Sequence, residues 1–265
     1  MSLPHLWLIG GTSDSVLIAQ AIAAQAFPCV VTVTTPSATA LYDQIEGLTV
    51  RVGKLSPAEM RHFREQYQIV GILDASHPFA QVISTQAIQV SQALNVPYLR
   101  YERAEIETVP NPNTIYLENF TNLLTGDYLR EQRVLLTVGA KSLTLFQPWQ
   151  AQATLFARIL PRLDSLQMAL QAGFTGDRLM ALRPPYDLAL ELALWQQWQI
   201  SLVVTKASGE AGGEKTKQQA ATQLGIPLIV IERPRLAYPQ QTRSLEKILQ
   251  FCRACLTSVN SALPI

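Results

Sequence analysis

The chain is predicted to be an α/β protein of two Rossmann-like lobes, each a doubly wound and mainly parallel sheet, with a cleft between them. Three observations lead there. Short apolar, β-branched runs alternate with helical patterns along almost the whole length, as strands and crossover helices do in a parallel sheet. The second half repeats the first: ALNVPYLRYER (93–103) lies opposite QLGIPLIVIER (223–233) at a shift of 130, and the same shift sets VGILDASHP (70–78) over ISLVVTKAS (200–208). Such internal repetition is the mark of duplicated units. Finally, AEIETVPNPNTIYLENF has the Pro/Asn punctuation of a boundary. The expected division is an N-terminal lobe over 1–110, a connecting segment over 111–131 and a C-terminal lobe over 132–265.

In the first lobe the strands are expected at HLWLIG (5–10), CVVTVTT (29–35), LTVRVG (48–53), VGILDA (70–75) and PYLRY (97–101), with helices near 14–25, 57–67 and 79–94. In the second they are RVLLTVG (133–139), TLFARIL (154–160), RLMAL (178–182), SLVVTK (201–206) and PLIVIE (227–232), with helices near 165–172, 187–198, 213–224 and 244–257. Each lobe thus has five strands, and ligands of such sheets bind at the carboxyl ends of the strands.

Hydrophobic residues make up 48% of the 265 and charged residues 15%, yet no apolar run approaches the roughly 18–20 residues of a membrane span. HLWLIG begins too early and is too short for a secretory signal, so a soluble cytoplasmic protein is expected. Three cysteines cannot build a disulfide framework. Cys252 and Cys255 form a C-x-x-C, but inside a terminal helical pattern without a preceding strand or further ligands, so a structural role is expected and no metal site. A net charge of +1 gives no global field for nucleic acid, so no nucleic-acid or membrane partner is expected.

The turns at strand ends carry the chemistry. After the first strand comes GGTSDS, in which Gly10 and Gly11 free the backbone for close approach while Thr12 and Ser13 add hydroxyls at a helix N-terminus. That suits an anion such as a dinucleotide pyrophosphate, although a bare GG pair is also an ordinary turn. The second strand ends in TVTTP without the acid that accepts from the ribose of NADH. Thr32, Thr34 and Thr35, with Arg51 and Lys54 nearby, suit a 2′-phosphate better, which favours NADPH with NADH as the alternative. In DASHPFA, Pro78 fits the first helical position and makes His77 the expected N-cap. Ser76 and His77 then stand where a cofactor's reactive ring would approach, and a helix cap is the plainer explanation of the same residues. In the second half, TKASGEAGG offers Lys206, Ser208 and Gly209 as a carboxylate or phosphate cradle; no P-loop pattern occurs, so an NTPase is not indicated.

With these turns in hand, the sequence resembles the precorrin-6A reductase family of cobalamin biosynthesis. GGTSDSVLIA, RVGKL, DASHPFA, LRYER, ARILPR, TKASGEAGG and LGIPLIVIERP carry the resemblance nearly end to end; Ser13-Asp14 stands where the family more often has a Thr/Ser-Glu pair. The resemblance implies a pyridine-nucleotide-dependent reductase delivering hydride to C19 of a macrocyclic tetrapyrrole whose rim carries carboxylates. Arg100, Arg103, Arg158, Arg162, Arg183, Arg233 and Arg235 stand at strand ends and turns, and Arg100 and Arg183 are taken as substrate contacts through guanidinium–carboxylate pairing. Two other readings share the lobes: a nucleotide-sugar transferase, and a non-catalytic protein that closes on a small ligand. A short-chain dehydrogenase is not indicated, because no tyrosine is followed by lysine at Tyr-x-x-x-Lys spacing.

Overall fold

The computed structural model describes residues 3–103 and 113–260. Its first strand, β1 (His5–Ile9), shows how the sheets are built. Leu6 and Leu8 point to one face and Trp7 and Ile9 to the other, and all four are buried, which is the pattern of a parallel strand covered on both sides. Then follow α1 (Ser13–Ala24), β2 (Cys29–Val33), β3 (Leu48–Val52), α2 (Pro57–Gln66), β4 (Ile69–Asp74), α3 (Gln81–Ala93) and β5 (Tyr98–Tyr101). Next come β6 (Thr114–Leu117), α4 (Phe120–Thr125), β7 (Arg133–Thr137), β8 (Thr154–Ile159), α5 (Leu163–Gln171), β9 (Leu179–Ala181), α6 (Leu188–Gln197), β10 (Leu202–Lys206), α7 (Glu214–Leu224) and β11 (Leu228–Ile231). The chain closes with β12 (Gln241–Thr242) and α8 (Leu245–Asn260).

Two six-stranded parallel sheets result, ordered β12-β5-β4-β1-β2-β3 and β6-β11-β10-β7-β8-β9. The two orders are the same once β7 is set on β1. Each is the doubly wound order in which the chain reverses direction between the first and fourth strands, β1/β4 and β7/β10. In the first unit α1 and α8 cover one face, with Ile18, Ile22, Ile248 and Cys252 packed on Leu6, Leu8 and Val31. On the other face Met60, Phe63, Ala87 and Val90 of α2 and α3 pack on Trp7, Val30 and Ile72. In the second unit Leu194 and Trp195 of α6 and Ala220 and Ala221 of α7 pack on Leu135, Val203 and Val230.

The structure corrects the sequence reading in three places. Each sheet has a sixth strand, because β6 lies in the stretch read as a connection and β12 pairs with β5, Gln241 opposite Arg100. The C-terminal boundary also moves: residues from 235 onward belong to the first unit and 105–234 form the second, whereas 132–265 had been read as one lobe. The physical reason is that α8 supplies the apolar face that α1 lacks a partner for. The repeat is also one residue out of step between strands. Asp74 pairs with Arg100 and Thr205 with Val230, so β4 superposes on β10 at a shift of 131 while β5 and β11 keep 130. Of AEIETVPNPNTIYLENF, residues 104–112 lie outside the described residues. No helix among the described residues is long and apolar enough to cross a membrane.

Candidate active site

In the first unit β1 and β4 are neighbours whose chains leave the sheet in opposite directions, and their carboxyl ends carry GGTSDS and DASHPFA. Gly10 is required sterically, since a Cβ there would stand 2.4 Å from Tyr42 Oη and 3.0 Å from Val31 Cγ1. Gly11 has φ +98° and nothing within 4 Å of a Cβ position, so its outer side is an exposed length of bare backbone. Thr12 is the N-cap of α1: its hydroxyl accepts from the Ser15 N–H at 3.1 Å and donates to the Ala75 carbonyl at 2.9 Å. Ser15 Oγ in turn accepts from the Thr12 N–H at 3.0 Å and lies 2.7 Å from Tyr42 Oη. This reciprocal box fixes the first turn and leaves Ser13 exposed at its start. Tyr42 also accepts from the Gly11 N–H at 2.8 Å, and burial holds its phenol above the usual tyrosine range. Sequence reasoning missed Tyr42, because nothing in its local pattern says that it reaches under the first turn. Asp14, in the first turn of α1, is paired with Arg103 beyond β5 at 2.6 Å.

At the end of β2, Thr34 is exposed and Thr35 Oγ1 lies 3.3 Å from Ser37 Oγ. Thr32 does not face a ligand, because it is buried and takes the Trp7 indole N–H at 2.8 Å. Arg51 Nε bonds Tyr67 Oη, and Lys54 is exposed.

DASHPFA departs from expectation. α3 begins at Gln81, so His77 is not its N-cap; residues 77–80 form a separate turn closed by the Ala80 N–H on the His77 carbonyl at 2.8 Å. His77 is exposed, and its Nδ1 accepts from the Phe79 N–H at 3.2 Å, which in that contact leaves Nε2 as the ring donor. Beneath the turn Asp74 is fully buried. Oδ1 accepts from the Ser76 N–H and from Arg100, each at 2.9 Å, and Oδ2 from the Ser84 and Tyr98 hydroxyls, each at 2.6 Å. Ser76 is therefore a support rather than a ligand group: it is 7% exposed and accepts from Arg100 at 3.1 Å. Arg100 is likewise corrected. Its side chain is 1% exposed and committed to Asp74, Ser76 and Glu102, so a substrate carboxylate has no access to it.

The second unit repeats the arrangement at β7/β10. Lys206, half-buried at the end of β10, donates to Ser142 Oγ at 2.8 Å, and burial followed by the nearby Lys141 charge brings it down to about 8. Lys141 and Ser142 lie in a 3-10 helix over Ala140–Trp149 that follows Gly139, φ +81°, just as Thr12 follows Gly11. Sequence reasoning passed over both, although VGAKS (138–142) occupies the place in the repeat that GGTSD (10–14) holds in the first half. Gly209 does not offer its amide outward, because that N–H is taken by the buried Glu214 carboxylate at 2.9 Å. Lys217 donates to the Gly212 carbonyl at 2.7 Å, and Ser208 packs against Gly212. Arg158 forms a buried two-pronged pair with Glu191 at 2.8 and 2.7 Å, and Arg233 donates to the Ala207 carbonyl at 2.9 Å. Arg183 is exposed beyond the end of β9.

The C-x-x-C is structural. Cys252 and Cys255 are buried in the α8 core, where desolvation pushes the thiols up to about 12 and about 11. A cavity of about 470 Å³ opens at the amino ends of β1–β3, lined in part by Phe27, Pro28 and Glu46, at the end of the sheet opposite the turns described above.

The model of a family described as precorrin-6x reductase CbiJ/CobK matches residues 5–253. A cobalt-precorrin-6A reductase of Synechocystis sp. is 48% identical over 97% of the chain and 99% of its own length. One from Priestia megaterium is 30% identical over 91% and 95%. Among solved structures, a CobK precorrin-6A reductase superposes with a TM-score of 0.78 at 23% identity, covering 96% of this chain and 97% of the other.

Proposed function

This chain belongs to the precorrin-6x reductase family, and on that premise we propose that it reduces its macrocycle with NADPH held by the first unit while the second unit takes the substrate. The reaction is the saturation of a carbon–carbon double bond of a precorrin-6A macrocycle in cobalamin biosynthesis, and it requires a reductant. The likeness to the Synechocystis enzyme supports the cobalt-containing form as the substrate of this chain.

The observation that carries the cofactor assignment is the β1 turn. Gly11 spends its amide on Tyr42 but leaves nothing where a Cβ would stand, at the start of α1, and that room fits the approach of a pyrophosphate. Gly10, Gly11, Thr12 and Ser13 would hold the dinucleotide there, Gly10 and Thr12 by shaping the turn and Ser13 by donating. Thr34 and Thr35 would border the ribose. The register Val33↔Val52 sets Lys54 at the same end of the sheet as Thr34, and with no acid after β2 that pairing supports a 2′-phosphate. The bound nicotinamide would supply hydride. His77, exposed on the β4 turn beside β1, would orient the carboxamide or a substrate carboxylate through its ring N–H, with solvent or the substrate supplying the proton. Lys206 and Arg183 would take carboxylates of the rim. Three buried thiols fit the reducing cytoplasm as its place of work.

Titration of nicotinamide fluorescence tests the assignment. NADPH is expected to bind more tightly than NADH, and Gly11→Val to weaken both at least about tenfold, since a branched side chain at positive φ occupies the anion's approach. Unchanged affinity in a folded Gly11→Val variant would move the cofactor elsewhere, and tighter NADH binding would overturn the 2′-phosphate reading.

A further inference from the structure

The end of α1 that meets the dinucleotide in the reading above already carries an anion of its own. Asp14 is the second residue of the helix, one position beyond Ser13, and an acid in a first turn is favoured by the helix dipole. The same dipole draws a pyrophosphate to that place, so the side chain and the ligand compete for one positive end. Like charges brought together there repel more strongly than in bulk water, because the site is partly enclosed by protein. A carboxylate left uncompensated at Asp14 would therefore oppose the cofactor.

Arg103 supplies the compensation. It follows β5 by two residues, and β4 lies between β5 and β1 in the sheet, yet its Nη2 stands 2.6 Å from Asp14 Oδ2. The two side chains are only 13% and 18% exposed, so the pair is shielded from salt better than a surface ion pair. The second unit offers a comparison within the same chain. The registers Ile9↔Asp74 and Thr137↔Thr205 put Ser142 in the place of Asp14, and the shift of 130 puts Arg233 in the place of Arg103, two residues beyond β11. That place holds no acid, and Arg233 donates instead to the Ala207 carbonyl at 2.9 Å. The fold thus accommodates an arginine at this position without an acid at the head of the first helix. The charge pair is particular to the first unit.

We propose that Arg103 is a positioning residue of the dinucleotide site, which by pairing with Asp14 cancels the carboxylate's charge at the head of α1 and so admits the pyrophosphate. The proposal rests on the reading of the β1 turn as the place of the dinucleotide. Arg103 acts here through Asp14 and not by gripping the cofactor, and this gives the pair a signature that a mere tether lacks: the two single substitutions shift affinity in opposite directions, and the second undoes the first.

Titration of nicotinamide fluorescence on the intact enzyme tests this. Arg103→Gln is expected to weaken NADPH and NADH alike, about five- to tenfold at low salt, since both carry the pyrophosphate. Raising the salt to about 1 M, where the screening length falls to about 3 Å, should close most of the gap to the wild type. Asp14→Asn should bind as tightly as the wild type or more tightly, and the double variant should return to within about twofold of it. Arg103→Lys, which keeps the charge, should keep most of the affinity, and with Asp14→Asn it carries the test if Arg103→Gln does not fold. A double variant as weak as Arg103→Gln would show the guanidinium on the cofactor itself, and looser binding by Asp14→Asn would show a tether; either overturns the proposal. Unchanged affinity in Arg103→Gln, or a loss confined to NADPH, would overturn it too. Gly11→Val separates the two levels of the argument. Unchanged affinity there removes the dinucleotide from the turn and the proposal with it, whereas weakened binding beside a silent Arg103→Gln overturns the role of Arg103 alone.

Discussion

Asp74 and His77 are three positions apart and answer to different physics. The Asp74 carboxylate accepts from a backbone amide, two hydroxyls and a guanidinium with no exposure to solvent, so it ties the turn to α3 and β5 at once. Its removal strands the buried Arg100 charge. Asp74→Ala is therefore expected to cost about 3–5 kcal/mol, which denaturant unfolding would measure. A cost under about 1 kcal/mol would mean that Arg100 finds Glu102 sufficient. His77 is exposed, so His77→Ala should leave stability within about 0.5 kcal/mol. It should lower kcat/KM while preserving both dinucleotide affinity and the shape of the pH profile; loss of one limb of the profile would make it the proton donor, and full activity would reduce it to a turn former. The residue types were legible in DASHPFA, but their division of labour was not. Whether Asp74 points into the sheet and His77 away depends on where β4 ends and on Tyr98 and Arg100, which are separated from it by a whole helix.

Among the elements, β1 to β5 and β7 to β11 stand where the sequence puts them; for the central strands such as β1, β2, β4, β7 and β10 this is because burial on both faces writes itself directly into composition, whereas the edge strands β3 and β9 are only partly buried. The α3 start lies three residues beyond the position that Pro78 suggested: Pro78 satisfies the rule for a first helical position equally well inside the tight turn that it occupies. β12 has two residues, and its only evidence is its partner. The glycine loop after β10 shows the same limit. Its glycines read as bare donors, yet Gly212 is there to make room: a Cβ on it would stand 1.8 Å from Ser208 Oγ and 2.4 Å from Ser208 Cβ. Since the second of these atoms is fixed to the backbone, Gly212→Ala must open the loop. We expect a cost of about 1–3 kcal/mol and a higher KM for the tetrapyrrole, with dinucleotide affinity unchanged. Wild-type stability in this variant would show that the loop gives way freely.

For the whole molecule, the sequence repeat announced two units but could not announce that the chain returns. Repetition reports what is alike and not which sheet an element joins; α8 packs Ile248, Cys252 and Cys255 against the first unit after the second is finished. A chain ending at residue 234 should therefore keep the second unit's cooperative unfolding while the first binds a hydrophobic dye and loses dinucleotide affinity. Tight dinucleotide binding by that chain would show that α1 and the sheet hold without α8. The return also sets an order of events at the ribosome. Residues 3–103 emerge with one face of their sheet covered by α1 alone, and the 130 residues from 105 to 234 must be translated before the second covering helix exists. At about 5–20 residues per second that is on the order of ten seconds. During that interval the nascent first unit presents Leu6, Leu8, Val31 and Ile22 to whatever chaperone waits at the exit, so the unit that is made first is completed last.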